Sequence, residues 1–337
     1  MKGKTLIKTA LYAGVLSCCM VFLTVHAFAE QKRFSIAGAG VGQSAYIQAA
    51  AVADYISKNS QKIALTAQTT KGYVHNARLV NNGETDFGLC GTTIIYPGLL
   101  GIEKFSDGKL TNIRGVINSG DSLHAFVTLQ DRGIKTFKDM IGKRVNLGAP
   151  GSNTRYIAEL TLKAYGILDK VHASSLGFGG SAAAMMDGKI DVASFASAPP
   201  VPAIMELFSA KKAMFVTVDD DMIAKMIKEH PAFVKVVIPP NTYVGQTQAA
   251  NCLGYPAYLL AHKDIPDWAV YELIKEMITP QAKQRLITVS DKWSTLNEDD
   301  VPKLPGMSQI GLMLHPGAEK FWKEKGLAIP ANISSLK

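Results

Sequence analysis

Hydrophobic and polar positions along this chain alternate in a way that predicts strands and helices in turn. The apolar run Phe34–Gly38 predicts a short strand, which leads into a glycine-rich turn over 38–42 and then a helix with Ser44 as its candidate N-cap. Alternation over 63–67 predicts a second strand. A short helix and a third strand over 87–90 complete a unit of βαβαβ order.

A second unit with the same order begins near Arg144. Its strands are predicted over 145–148, 171–176 and 192–195, and the first of them is followed by a turn and a helix with Ser152 or Asn153 as the N-cap. A further glycine-rich turn over 177–180 follows the second strand.

The two units agree in register at two points. Gly83 and Gly188 both follow the short helix, and Asp86 and Asp191 both precede the third strand, each pair at an offset of 105 residues. We interpret this agreement as a structural duplication. The alternative is coincidence, because many βαβ units place a glycine after a helix.

Strands that alternate with helices predict an α/β fold with two lobes, each a mainly parallel sheet flanked by helices. We assign residues 30–126 and 241–337 to the first lobe and residues 127–240 to the second, with the tail from Leu304 packed on the first lobe. The carboxyl ends of the strands and the helix N-termini after them would then face a cleft between the lobes.

Residues 1–29 predict a cleavable signal peptide. They contain a basic start with three lysines, an apolar stretch over 10–25 and an A-x-A site that places cleavage after Ala29. The predicted location is therefore the periplasm. An uncleaved anchor, or a lipoprotein attached at Cys18, is the alternative.

Composition narrows the classes of partner. Without the three leader lysines the chain has 33 basic and 28 acidic residues, a net charge of +5 with no basic tract, so we expect no nucleic-acid partner. The mature chain keeps two cysteines, Cys90 and Cys252. A disulfide between them is possible outside the cytoplasm, but two separate buried thiols are the preferred interpretation.

The turn over 150–154 is the sharpest candidate for an anion site. Gly151 would let the backbone approach a ligand, Ser152 and Thr154 would add hydroxyl donors, and the helix N-terminus favours negative charge. Arg155 is the nearest fixed charge, with a surface ion pair as its equally plausible role. The full candidate set for ligand binding is Gly42, Ser44, Tyr46, Thr70, Tyr73, Cys90, Gly91, Pro150, Gly151, Ser152, Asn153, Thr154, Arg155, Phe195 and Ser197.

Enzymatic and cofactor sites find little support in the sequence. The turn over 38–42 is not a G-x-G-x-x-G fingerprint, and no acidic residue ends the second strand, so we expect no dinucleotide and no other cofactor. The histidines form no metal-binding spacing. Cys90 at a strand end could serve as a nucleophile, although a buried core thiol is the more common role. We therefore expect neither a metal site nor enzyme activity.

Four stretches resemble the solute-binding proteins of TRAP transporters, of the TAXI type. They are 36–46, 133–145, 148–154 and 314–322. The resemblance implies a receptor with the two-lobed periplasmic-binding-protein (Venus flytrap) fold and without enzyme activity. It would deliver an organic acid or amino acid to TRAP membrane subunits, and we expect it to be a monomer. The alternatives are a receptor of an ABC importer, a ligand-sensing subunit of a membrane sensor and, less favoured, a periplasmic enzyme using Cys90.

The ligand-facing turns depart from the pattern of that family. Ala45 stands in place of the first of two tyrosines, Gly72–Tyr73 replaces Gly-Ser, Asn153 replaces a glycine, and 90–92 and 195–200 also differ. The changed strand end at 90–92 removes acceptors that would hold an amino group. We therefore expect a carboxylate ligand that has no amino group.

Overall fold

The computed structural model describes residues 31–41 and 43–336. The predicted signal peptide, its cleavage site and Gly42 lie outside these residues. The strands are β1 Lys32–Ala37, β2 Ile63–Gln68, β3 Phe87–Gly91, β4 Ile113–Leu129, β5 Arg144–Asn146, β6 His172–Ser174, β7 Val192–Ser197, β8 Ala213–Val216, β9 Val234–Ile238 and β10 Ala250–His262. The α-helices are α1 Ser44–Asn59, α2 Tyr73–Asn81, α3 Thr92–Leu100, α4 Asn153–Ala164, α5 Phe178–Met186, α6 Pro202–Ala210, α7 Asp220–Glu229, α8 Asp267–Met277, α9 Pro280–Val289, α10 Leu304–Ile310 and α11 Pro316–Glu324. A 3₁₀ segment, Asp291–Asn297, follows α9.

All ten strands belong to one mixed sheet. The main path runs β2-β1-β3-β10-β4-β7-β5-β6, with β8 paired to β4 and β9 paired to β10. The pairs inside each predicted unit are parallel, namely β1 with β2 and β3, and β5 with β6 and β7. The pairs that β4 and β10 make with each other and with their neighbours are antiparallel. The sheet is therefore parallel at its two ends, as predicted, and antiparallel in the middle.

The long strands β4 and β10 connect the two parts of the sheet. They are antiparallel from Ile113 opposite His262 to His124 opposite Leu253, with irregular register near Pro256 and Leu259. The sequence analysis did not predict β4, because its middle contains the polar run 118–122. The first residues of β4 pack in the hydrophobic core of the first unit, and its last residues pack in the cores of the second unit.

The hydrophobic side chains form three buried clusters. The largest takes nearly all its residues from 34–117 and 258–333. The other two take theirs from 123–255 and lie on opposite sides of the second part of the sheet. The assigned lobe boundaries stay a prediction.

Asp86 and Asp191 play the same structural part, which supports the predicted duplication. Asp86 Oδ2 accepts a 2.7 Å hydrogen bond from the backbone N–H of Ser35 in β1. Asp191 Oδ2 accepts a 3.0 Å bond from the backbone N–H of Arg144, at the equivalent position of β5. Each aspartate thus joins the start of the third strand of its unit to the first strand.

Two local predictions need correction. Ser44 is the first residue of α1 and not its N-cap, because Gln43 holds the extended cap position and its side chain makes no capping bond. The second glycine-rich turn is shorter than predicted, because α5 already begins at Phe178 with Gly177 as its cap. Ser152 is the N-cap of α4, as one of the two alternatives predicted.

The closing elements pack on the first core, as predicted. Leu314 bridges Gly115 of β4, and its backbone N–H donates to Ile333 O at 2.9 Å. The indole N–H of Trp322 donates to Val116 O at 3.1 Å. The last residues of the chain therefore complete the core that the first strands begin.

Helices long and apolar enough to cross a membrane were sought in the part of the chain described above, and none was found there.

Candidate functional site

A cleft of about 890 Å³ lies where the helix starts of both units meet. The first unit contributes the beginnings of α1 and α2, and the second contributes the turn before α4, the start of α5 and the segment 196–203 after β7. Residues 289–292 at the end of α9 close one side. Eight of the predicted binding residues line it: Ser44, Tyr73, Pro150, Gly151, Ser152, Asn153, Thr154 and Ser197.

The start of α4 has the geometry of an anion-binding turn. Gly151 has φ of 73°, a left-handed conformation that glycine adopts without strain. Ser152 Oγ accepts from the Arg155 backbone N–H at 3.1 Å, so this hydroxyl caps the helix. The first N–H groups of a helix have no carbonyl partner within it, and Asn153 and Thr154 of this first turn line the cleft, where the positive end of the helix dipole favours an anion.

Asn153 also connects this turn to the first unit. Its Oδ1 accepts a 3.0 Å bond from Thr93 Oγ1 at the start of α3, and its Nδ2 is buried without a hydrogen-bond partner among the described residues. The residue that replaces a glycine of the TAXI pattern therefore holds α3 and α4 together.

Arg155 lies off the cleft. Its guanidinium pairs with Glu159 at 2.7 Å, one turn along α4, and also donates to Ser175 Oγ. The structure thus places the arginine in the surface ion pair that was its alternative role. The charge nearest to the turn in the sequence therefore does not line the cleft.

Five other candidates do not line the cleft. Tyr46 lies on α1 outside the cleft. The hydroxyl of Thr70 donates a 2.5 Å hydrogen bond to Asn76 Oδ1 and so belongs to the turn before α2. Phe195 is fully buried with its ring against the edge of Phe178. The remaining two candidates, Cys90 and Gly91, are the last residues of β3 and also lie outside the cleft lining.

Tyr73 and Tyr255 separate the end of β3 from the cleft. A side chain at Gly91 would meet both rings. Cys90 is fully buried, its Sγ lies 3.6 Å from Tyr73 O, and burial raises the pKa of this thiol. Cys252 is also a free buried thiol, and it belongs to a different core, so the preferred interpretation of two separate thiols holds.

Lys292 is the charged cleft residue that the sequence analysis missed. It lies in the 3₁₀ segment, is 7% exposed and donates from Nζ to Ser122 Oγ at 2.9 Å. Burial lowers the pKa of this ammonium to about 8, although Asp121 acts in the opposite direction. The local sequence Asp291–Lys292–Trp293 is typical of a surface turn, so only tertiary packing reveals this buried cation.

Tyr255 links Lys292 to the start of α4. Its ring lines the cleft, and burial raises the pKa of its hydroxyl, while the neighbouring polar groups of Asn153 and Ser122 act in the opposite direction to a smaller degree. Ser122 is the residue to which Lys292 donates. The polar groups of Ser122, Tyr255 and Asn153 therefore lie between the buried ammonium and the N-terminus of α4.

His124 lies beneath the same turn as a neutral support. It is 1% exposed, and burial lowers the pKa of its imidazole to about 3, against a smaller opposing effect of a hydrogen bond to the Thr154 backbone. The ring packs against Phe126 with centroids 4.9 Å apart. At neutral pH the turn is thus supported by an uncharged group.

The remaining charges of the cleft lie at its mouth. Lys71, Glu206 and Asp291 line it but are exposed to solvent. The part of the chain that the structure describes has no cluster of histidine, cysteine or acidic residues that could hold a metal ion.

Comparisons with known proteins agree with this architecture. The profile of the NMT1-like family matches residues 36–326. The chain is similar, at 14% identity and a TM-score of 0.50, to the periplasmic sulfonate-binding protein SsuA of a sulfonate ABC transporter from Methylobacillus flagellatus KT, with 90% of this chain and 92% of that chain covered. This likeness shows a periplasmic-binding-protein fold.

Two further structures are more distant. The periplasmic aliphatic sulphonate binding protein SsuA from Escherichia coli has 12% identity and a TM-score of 0.48, with 90% of each chain covered. A structure concerning glutathione import via GshT and the cystine ABC importer TcyBC of Streptococcus mutans has 14% identity and a TM-score of 0.46, with 82% and 100% covered.

Proposed function

This chain belongs to the NMT1-like family, and we propose on that premise that it is an extracytoplasmic receptor that binds a small organic anion for a membrane importer. One observation carries the proposal. A cleft of about 890 Å³ is lined by both the N-terminus of α4 and the buried ammonium of Lys292. Both groups favour negative charge in a space of the size that small ligands occupy.

The importer is proposed to be of the ABC type. The solved structure with a TM-score of 0.50 belongs to a sulfonate ABC transporter, which supports the ABC alternative over the TRAP system that the motifs implied. The TAXI-like stretches 148–154 and 314–322 keep a TRAP partner as the second candidate. Uptake into right-side-out vesicles of the host separates the two, because an ABC importer needs ATP inside the vesicle and a TRAP transporter needs an ion gradient.

Binding without catalysis is part of the same proposal. The thiol suggested as a nucleophile is buried, and Tyr73 and Tyr255 separate it from the cleft. A thiol with a raised pKa and no access to the ligand is a poor nucleophile. We therefore propose that Cys90 has a packing role.

Native mass spectrometry of protein purified from its host tests the receptor function. A retained acid of the size of the cleft is expected, and small-angle scattering should show contraction when that acid is added back to stripped protein. Chemical conversion of the acid by the protein would contradict the receptor proposal. So would the absence of any acid that binds and contracts the protein.

A further inference from the structure

The ammonium of Lys292 is buried without a matching anion. Its hydrogen bond goes to the neutral hydroxyl of Ser122, and no carboxylate of the described residues lies within ion-pair distance of Nζ. Asp121, the acid that acts on it electrostatically, is bound instead to Lys303 at 2.7 Å. Lys303 also pairs with Glu298 at 3.1 Å, so these three groups together carry a net charge of −1, and Asp121 acts on Lys292 only from beyond ion-pair distance.

An ammonium has three donors, and one of those of Lys292 is accounted for by Ser122. Burying a charge without a counter-charge is unfavourable unless something restores the lost hydration. Since Lys292 lines the cleft, a bound anion is the group that can do so. The same anion would lie near the Tyr255 hydroxyl and the free N–H groups of α4.

The rest of the cleft restricts what this anion can be attached to. Of the charged residues that line it, Lys292 alone is buried, whereas Lys71, Glu206 and Asp291 are exposed at the mouth. Much of the remaining wall is apolar, including Ile47, Val74, Ile94, Phe178, Val201 and Val289. A second negative charge on the ligand would lie against this wall or at the mouth, where two acids accompany the exposed Lys71.

We propose that Lys292 binds the acidic head group of the ligand, and that the ligand is a monoanion with an apolar body and no ammonium group. This inference rests on the proposed receptor function and deepens it by assigning the ligand class. A carboxylate and a sulfonate share the required chemistry, and the experiment below includes both.

Four probes with a hexyl chain test the ligand class: heptanoate, hexane-1-sulfonate, hexan-1-ol and hexylammonium. They have the same apolar body and differ in the head group. We expect at least one of the two acids to bind in isothermal titration and to raise Tm, and the alcohol and the amine to bind at least tenfold more weakly. Preferred binding of hexylammonium or hexan-1-ol, or failure of both acids to bind, overturns the assignment.

Two variants test whether Lys292 binds the acidic head group. Lys292→Met keeps the length of the side chain and removes the charge, and Lys211→Met removes an exposed lysine that does not line the cleft. We expect the first to weaken binding of the acid at least tenfold and the second to leave it within twofold. A folded Lys292→Met protein that binds the acid as tightly as wild type overturns the role of Lys292. The receptor function would survive that result, because it is decided by the retained ligand and by contraction.

A measurement on the unaltered protein keeps the proposal testable if the variant fails to fold. Because the pKa of Lys292 is near 8 in the free protein, an anion bound to it should raise that pKa. Titration of the acid at pH 8.5 in buffers with different ionisation enthalpies should then show uptake of most of one proton. The neighbouring Tyr255 hydroxyl stays protonated at this pH because its pKa is raised. Binding without proton uptake contradicts the proposal.

Discussion

Lys292 Nζ donates a 2.9 Å hydrogen bond to Ser122 Oγ, and this contact joins a 3₁₀ segment to the middle of the long strand β4. Both residues are buried. A lysine in such a place would ordinarily be replaced by an apolar residue if stability alone were selected. Its presence at the cleft indicates that the charge serves binding at a cost in stability.

We expect Lys292→Met to be more stable than wild type at pH 7. The folded-state pKa is about 8 against 10.5 for an ordinary lysine, so the stability cost of the charged form is fully present below pH 8 and is relieved as pH rises to 10.5. At about 1.4 kcal/mol per pKa unit the gain is at most about 3 kcal/mol, less the lost bond to Ser122. Urea unfolding at pH 7 and pH 10 measures it.

The comparison with Lys211→Met, which removes an exposed charge, sets the baseline for that measurement. The difference between wild type and Lys292→Met should shrink at pH 10. A stability gap that is independent of pH would show that the ammonium is not destabilised by burial.

Ser152→Asp should separate capping from ligand binding. Aspartate caps helices as well as serine does, so it can accept from the Arg155 N–H as Ser152 Oγ does and keep α4 intact. The added carboxylate would repel an anion at the same turn. We expect unfolding free energy within about 0.5 kcal/mol of wild type, and affinity for the acid reduced at least tenfold.

Ser152→Ala is the matched control, with a loss of about 1 kcal/mol from the missing cap and a smaller effect on affinity. Chemical denaturation gives the unfolding free energy of each variant, and isothermal titration gives its affinity for the acid. Equal affinity of the Asp and Ala variants would place the anion elsewhere in the cleft.

Asp191→Asn should destabilise the second unit. The carboxylate accepts from the Arg144 backbone N–H at 3.0 Å and pairs with the Arg144 guanidinium at 2.6 Å. Because the side chain of Arg144 is partly exposed to solvent, we expect the free energy of unfolding to fall by about 1–2 kcal/mol in urea denaturation. Asp187→Asn, which breaks an exposed pair with Lys189, should change stability far less.

The same pair gives a pH dependence. The hydrogen bond with Arg144 lowers the pKa of Asp191, so its stabilisation is present above the ordinary carboxyl pKa and is lost as pH falls below it. Between pH 6 and pH 3, wild type should therefore lose more stability than Asp191→Asn does. Parallel curves for the two proteins would argue against the ion pair.

Cys90 should be inert in the folded protein. Burial raises its pKa and leaves no exposed surface for a reagent, so reaction with Ellman's reagent should require unfolding. We expect no labelling of Cys90 in native buffer and labelling of both thiols in 6 M urea. Cys90→Ser should still bind the acid, and loss of turnover in that variant would instead indicate an enzyme.

Much of the fold could be predicted because it depends on local patterns. The glycine that ends each short helix, Gly83 and Gly188, has positive φ in both units, and Ser152 caps the helix that its position predicts. The middle of the sheet could not be predicted in the same way. The polar run within β4 shows no two-residue alternation, and these residues are buried because β10 and the 3₁₀ segment cover them.

The candidate site likewise contains residues that local sequence predicts and residues that only tertiary packing brings to the cleft. Residues of the turn over 150–154 reach the cleft because backbone geometry places them there. Arg155 and Lys292 show the limit of sequence proximity, since one turn of helix directs the arginine to Glu159 while distant packing brings the lysine inside. Tyr255 could not be selected either, because its role depends on β10 passing next to β4.

The pairing of β3 with β10 has a consequence for how the chain reaches its native state. Residues 87–91 form their outer hydrogen bonds with residues 257–261, so this edge stays open until most of the chain is available. Open strand edges recruit other strands, and contacts of such sequence separation slow folding. A chain truncated before residue 257 would leave the outer edge of β3 unpaired. We therefore expect truncated forms to aggregate and not to retain partial function.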